Sequence, residues 1–326
     1  MRIAIPDDYQ NLADQLACAS HLAGHAIVRF REPARNEAEL IARLADADCI
    51  VAIRERVPYS RSVLAALPRL QLISQIGRST HHIDVAACTD LGIAVAHGTS
   101  ASPVAPAELT WALILATRRN IPIEARRMRL GEWPGTLSHR LRGSTLGIAG
   151  LGLIGELVAE AGRGFGMRVL CWGRDRTARR AAELGYAVAT SRAQLFEESD
   201  VLSLHLRVSP ETRHAITEAD LLRMKPTALI VNTARAALFA PEALVSALRK
   251  GRPGYAAVDV YDVEPVVNGD HPLLKMDNVT CVPHIGWAEH DTFELYFGEA
   301  YENIAAWAAG NPQNLVNPDA LARRRG

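Results

Sequence analysis

Thr145-Leu-Gly-Ile-Ala149-Gly150-Leu151-Gly152-Leu153-Ile154-Gly155 is the stretch that decides the fold. An apolar, strand-like run enters a Gly-x-Gly-x-x-Gly turn, and 156–164 continues with helical spacing. A glycine triplet alone is a weak signal. Between a strand and a helix it has a mechanism. Gly150 permits the tight turn, Gly152 lets backbone approach a pyrophosphate, and Gly155 lets the helix pack on the strand. The helix N-terminus adds unpaired N–H groups and a partial positive charge for phosphates. Gly150, Gly152, Leu153, Ile154 and Gly155 are therefore read as cofactor-binding.

Six short apolar runs extend from this turn: 145–149, 168–172, 201–205, 228–232, 256–260 and 279–282. They read as strands buried on both faces of a doubly wound sheet. A first series lies upstream at 2–5, 26–30, 49–53, 71–76 and 93–96. Amphipathic stretches separate these strands, such as 36–45, where Leu40, Ile41 and Leu44 share one helical face. The pattern predicts an α/β protein of two domains, a Rossmann-type doubly wound parallel sheet plus a flavodoxin-like substrate domain. Residues 101–285 are read as the dinucleotide-binding domain, and 1–100 with 286–326 as the substrate domain. A cleft between them is expected. The segment 102–130 predicts one long connecting helix starting near Pro106, and 289–309 a last helix stopped by Gly310-Asn311-Pro312.

Bulk properties exclude several classes. The 326 residues carry 36 Lys plus Arg against 36 Asp plus Glu, so no general field attracts nucleic acid or an anionic membrane. Cys18, Cys49, Cys88, Cys171 and Cys281 form no CxxC pair, so no metal site is expected, and reduced thiols fit a cytoplasmic setting. Cys171 and Cys281 sit in apolar runs and read as buried small residues. The opening Met-Arg-Ile-Ala-Ile-Pro lacks the pattern of a signal peptide. No run approaches the ~18 apolar residues of a membrane span. The Arg-rich end, 322–326, reads as a solvated tail.

The ribose-reading position falls at the end of the second strand of the later series, on Gly173 and Arg174. No carboxylate stands at the tip. Arg174 and Arg176 can pair with a 2′-phosphate through planar forks, whereas Asp175 can accept from ribose hydroxyls. The charges favour NADP over NAD. Three further segments follow successive strands: Val231-Asn-Thr-Ala-Arg235, Asp259-Val-Tyr-Asp-Val-Glu264-Pro265 and Pro283-His284-Ile285-Gly286-Trp287. In such a sheet the carboxyl ends of the strands lie along one ligand-binding edge, where an Arg, a Glu and a His can converge.

Together these segments resemble the D-isomer-specific 2-hydroxyacid dehydrogenase family, and the likeness runs along nearly the whole chain. It includes the helix after Pro103-Val-Ala-Pro-Ala-Glu108, Ser203-Leu-His205-Leu and Met224-Lys-Pro226. The resemblance implies that Arg235 binds substrate, Glu264 and His284 form an acid/base dyad, Asp259 holds the nicotinamide carboxamide, and Thr233 lies against that ring. It also implies a homodimer. The residue types make chemical sense. Arg235 can bind a carboxylate and polarise the neighbouring carbonyl, His284 can move a proton near neutral pH, and Glu264 can hold the imidazole. Substrate contacts are expected from Arg54, Gly77, Arg78 and Ser79, with Trp287 closing the pocket. The extra cations would suit a dicarboxylate or phosphorylated acid.

Departures from the family pattern are local. Leu153 replaces the usual Arg or Lys. Ala236 follows Arg235 in place of Gly. Arg78, Thr80, His81 and His82 replace the usual small and Asp-Asn residues. The predicted function is hydride transfer between NADP or NAD and a small 2-hydroxy or 2-oxo acid. The alternative is an NAD(H)-sensing corepressor or scaffold on the same fold. The intact trio favours the enzyme. A formate dehydrogenase is disfavoured, because those enzymes usually pair the histidine with Gln.

Overall fold

The computed structural model describes residues 1–133 and 135–323. Arg324–Gly326 of the Arg-rich tail lie outside the described residues. The chain divides into two compact units, Met1–Ser102 with Glu289–Gly326, and Pro103–Ala288. The changeovers fall at Ser102 and Ala288, two and three residues beyond those read from sequence. The physical reason is local. Trp287 is buried with the second unit, while Glu289 caps the last helix by accepting from Asp291 and Thr292 N–H.

The first unit is a parallel sheet of β1 (Arg2–Ile5), β2 (Ala26–Arg29), β3 (Cys49–Ala52), β4 (Leu72–Gln75) and β5 (Ala94–His97). Its order, β2-β1-β3-β4-β5, is flavodoxin-like. Every residue of β3 and β4 is buried, as central strands covered on both faces should be. Helices α1 (Glu37–Leu44), α2 (Arg61–Ala65) and α3 (Val85–Asp90) start at Asn36, Ser60 and Asp84, whose side chains accept from the first-turn N–H groups. The helix His290–Ala308 covers the sheet. Ser74 Oγ donates to Ala300 O (2.8 Å), and Tyr301 Oη to Ala13 O (2.7 Å).

Strand β5 is an edge, and the end of the chain closes it. Val316 N donates to Val95 O at 2.7 Å, and His97 N to Asn314 O at 3.2 Å. Asn317 accepts from Val95 N at 2.7 Å and donates to Ile93 O and Thr89 Oγ1, both at 3.0 Å. An edge paired this way offers no template for another strand.

The second unit has seven parallel strands: β6 (Thr145–Ala149), β7 (Arg168–Trp172), β8 (Ala187–Val188), β9 (Val201–Leu204), β10 (Leu229–Asn232), β11 (Tyr255–Val258) and β12 (Val279–Cys281). Their order is β12-β11-β10-β9-β6-β7-β8, so the winding reverses between β6 and β9. Six of these strands match the apolar runs. The seventh, β8, is two exposed residues at the sheet edge, too short to leave a periodic signal. The helices are α4 (Val104–Arg118), α5 (Ile121–Arg129), α6 (Leu153–Gly164), α7 (Asp175–Glu183), α8 (Arg192–Glu198), α9 (Glu218–Leu222) and α10 (Ala243–Arg249). One apolar core, around Phe196, Leu221 and Met224, covers one face, and another, around Trp111, Leu146 and Val158, covers the other.

The single helix expected over 102–130 is two helices. Pro103, not a residue near Pro106, caps the first, and Asn120 breaks the run with φ +54°. Asn enters the left-handed region at modest cost because its short polar side chain bonds locally, and Pro122 has no N–H to continue the preceding turn. Among the described residues no helix is long and apolar enough to cross a membrane.

Asn317→Leu removes three hydrogen bonds and leaves Val95 N–H and Ile93 O without their side-chain partner. The expected loss is about 2–4 kcal/mol in urea unfolding of the first unit. An unchanged midpoint would show that the closed edge contributes nothing.

Candidate active site

The site begins where β6 ends. Gly150 N donates to Trp172 O at 2.9 Å, and its φ of +94° needs glycine. A Cβ there would stand 2.9 Å from His205 O. At Gly155 a Cβ would collide with the Gly150 carbonyl. Gly152, the N-cap of α6, faces open space, with nothing within 4 Å of where its Cβ would be. The first N–H groups of α6, from Leu153 and Ile154, lack intrahelical acceptors. This cradle fits the pyrophosphate of a dinucleotide: Gly150 and Gly155 admit no side chain, Gly152 leaves its space open, and donors remain. Leu153 is 69% exposed, and Ile154 is half-buried against the core.

His205 walls the turn. Its Nε2 pairs with Ser203 Oγ at 2.9 Å, and burial pushes its pKa down to about 4, so the ring is neutral at pH 7. At the end of β7, Gly173 lies against Thr177, where a Cβ would meet Oγ1 at 2.5 Å. Arg174, Asp175 and Arg176 are all exposed at the start of α7.

The three loops beyond β10, β11 and β12 are tied to one another. Asn232, fully buried at the end of β10, accepts from Ala234 N (3.0 Å) and donates to Arg235 O (2.9 Å). That clamp fixes the backbone that carries Arg235, whose Nη1 donates to Ala234 O at 2.7 Å. Thr233 Oγ1 pairs with Thr110 Oγ1 of α4 at 2.8 Å.

Glu264 is held at both oxygens. Oε1 accepts from Tyr261 N at 2.9 Å, and Oε2 lies 2.6 Å from His284 Nδ1. Tyr261 Oη donates to Val282 O at 3.0 Å, bracing the strand end that leads into His284. His284 sits at φ +50°, a region costing of order 1–3 kcal/mol for a non-glycine residue. What holds it there is Asp259, whose oxygens accept from Ile285 N at 2.7 Å and Gly286 N at 2.9 Å. Hydrogen bonds to a charged acceptor contribute about 1.5–3 kcal/mol each, enough to offset the strain. Burial nevertheless pushes the Asp259 carboxyl up to about 6. A Cβ on Gly286 would stand 2.9 Å from Asp259 Oδ2, so that position also needs glycine.

Sequence reasoning brought Arg235, Glu264 and His284 to one sheet edge, and the Glu264–His284 contact joins two of them directly. Asp259, which the resemblance places at the nicotinamide, is fully buried beneath the His284 loop and accepts from its backbone. Sequence reasoning missed Asn232 and Tyr261. Their signals were slight: an Asn two residues before Ala234, and a Tyr three residues before Glu264. Trp287 is buried.

In the first unit, Arg54 leaves β3 at φ +53°, and its guanidinium lies against the Cα of Gly77, which has φ +77°. Gln75 Nε2 donates to Arg54 O at 3.2 Å. The arginine also lies over the Tyr296 ring, 5.9 Å from its centroid. Arg78 Nε donates to Thr99 O at 2.7 Å, and Ser79 Oγ pairs with His81 Nδ1 at 2.7 Å. Glu299 fixes the accepting loop through Thr99 and Ser100, at 2.7–3.2 Å. Four candidate residues, Arg54, Gly77, Arg78 and Ser79, thus share one corner of this unit.

The depressed His205 pKa sets a pH dependence. Below its ordinary pKa the unfolded imidazole takes a proton that the folded one refuses. The stabilisation is complete above pH 6.5 and is lost as pH falls through about 4. His205→Gln should flatten that part of the curve of melting temperature against pH. Identical acid slopes in both proteins would contradict the assignment.

Residues 111–286 match the family model for the NAD binding domain of the D-isomer specific 2-hydroxyacid dehydrogenases. The chain is 40% identical over 297 residues to a glyoxylate reductase of Aeropyrum pernix, covering 88% of each. An oxidoreductase structure from Ralstonia solanacearum superposes with a TM-score of 0.94 at 48% identity, over 98% of both chains. A phosphoglycerate oxidoreductase structure from Vibrio cholerae does so at 0.92 and 45%, over 95% of this chain and 99% of that one. A glycine cradle at the switch of a doubly wound sheet, a His–Glu pair on the same edge and these likenesses lead to one conclusion: the chain belongs to the D-isomer specific 2-hydroxyacid dehydrogenases, a family of NAD-dependent oxidoreductases.

Proposed function

We propose that the chain interconverts a small 2-oxo acid and its 2-hydroxy acid, with His284 as the acid/base, Glu264 as its orienting partner and Arg235 as the substrate anchor. The observation that carries this reading is the 2.6 Å contact between His284 Nδ1 and Glu264 Oε2. A carboxylate only accepts, so Nδ1 carries the proton and Nε2 is left for the substrate. In reduction Nε2–H gives its proton to the carbonyl oxygen. In oxidation Nε2 takes it from the hydroxyl. Arg235 holds the carboxylate with its planar fork and polarises the carbonyl. A bound nicotinamide supplies or takes the hydride. Asp259 acts on this chemistry through the Ile285 and Gly286 backbone, as a positioning residue.

Gly150, Gly152, Leu153, Ile154 and Gly155 would seat the pyrophosphate, with Gly173 and Arg174 at the ribose and Thr233 near the ring. The exposed Arg174 and Arg176, with no carboxylate at the strand tip, favour NADP over NAD. In the first unit Arg54, Gly77, Arg78 and Ser79 form an anion-recognition corner suited to a substrate with a second negative group. The exposed Ile121, Met128 and Leu130 of α5 and the loop after it support a homodimer built on this face.

His284→Gln should lower kcat about 10²–10⁴-fold on the best substrate of a panel of glyoxylate, hydroxypyruvate and phosphohydroxypyruvate, with cofactor Kd unchanged. Retained turnover would remove the acid/base assignment. Arg174→Ala should weaken NADPH about tenfold and NADH little, measured by fluorescence titration. Equal changes for both would contradict the 2′-phosphate reading.

A further inference from the structure

The cofactor turn follows the carboxyl ends of the strands of the second unit. A separate concentration of charge stands at their amino ends. Arg142 lies just before β6, Phe165 just before β7, and Arg118 reaches the backbone before β10, where its Nη1 donates to Thr227 O at 2.7 Å. Here Arg118, Arg119, His139, Arg140 and Arg142 line a cavity of about 390 Å³, and no Asp or Glu lines it. The whole chain is formally neutral, so this is a local asymmetry. The volume is within the ~300–1,000 Å³ of small-molecule sites.

We propose that this cavity binds a small organic polyanion of the phosphate-ester class, at a site distinct from the dinucleotide cradle. Arg118 points to it most directly. The residue is only 6% exposed, its Nε–H has no partner among the described residues, and no carboxylate forms an ion pair with it. A buried charge without a counter-charge is costly. The acid that acts on it electrostatically, Asp200, is committed elsewhere, to Lys225 Nζ at 2.7 Å and Thr145 N at 2.8 Å.

The other cations are exposed and poised. Arg119 is steadied by Ser138 Oγ at 3.1 Å, and Arg142 lies over Gly166. Phe165 supplies a flat apolar wall, its ring stacked on Trp111 at 4.7 Å. Helix ends alone do not account for the charge. The C-termini of α4 and α6 both reach the cavity, and each carries about half a negative charge. Together they offset roughly one of four guanidiniums.

The test is calorimetric titration of the full chain with inorganic pyrophosphate in saturating NADPH, which occupies the glycine turn. One further site per chain is expected. R140A/R142A, which changes two exposed residues, should weaken it at least tenfold while NADPH Kd stays the same. Arg118→Met should also weaken it, and should raise the melting temperature without pyrophosphate by removing the unpaired buried charge. Absence of a second site, or equal affinity in R140A/R142A, would overturn the proposal. So would loss of oligomeric mass in R140A/R142A with pyrophosphate binding intact, which would assign these cations to acidic side chains of a second copy.

Discussion

The contact between Glu264 and His284 depends on a backbone that would not hold its shape unaided. His284 occupies the left-handed region, and two N–H groups of the next two residues are gathered by the buried Asp259. Remove that carboxylate and the two donors lose the side-chain acceptor that gathers them. The imidazole would then lose its defined angle to Glu264. Tyr261 reinforces the arrangement twice, its N–H on Glu264 and its hydroxyl on Val282. One short segment of β11 and its loop therefore supplies the carboxylate partner, the brace and the anchor for a histidine that arrives on another strand.

The parallel sheet makes this economy possible. In a doubly wound sheet each strand delivers its following loop to the same edge. Arg235, Glu264 and His284 follow β10, β11 and β12, which are neighbours in the sheet order. The glycine turn follows β6, at the point where the order reverses. The same topology places the starts of β6, β7 and β10 at the far edge, where the arginine-lined cavity lies. Two chemically different surfaces thus arise from one sheet, at its two ends.

Much of the fold was legible in the sequence, for physical reasons. Strands buried on both faces must be short apolar runs, and six of the seven in the second unit appeared as such. The strand that escaped, β8, has two exposed residues and no apolar pattern to read. The helix break at Asn120 escaped because the apolar period continues across it. The left-handed backbone of Asn120 makes the interruption, and Pro122 is its one sign in the sequence. Arg235, Glu264 and His284 were legible because their types and order carry a chemistry. Asn232 was not, because its function lies in clamping backbone atoms, and such local bonds leave no pattern of charge or period. Asp259 was legible as a residue of this edge. Only coordinates reveal that its oxygens face two backbone donors.

The central claim is that Glu264 fixes the histidine tautomer. Nitrogen-15 NMR of histidine-labelled protein, at a pH where the His284 ring is neutral, reads this directly. A proton on Nδ1 with a bare Nε2 is expected, and Glu264→Gln should mix the two tautomers. A proton on Nε2 in the unaltered protein, or a tautomer indifferent to Glu264, would contradict it.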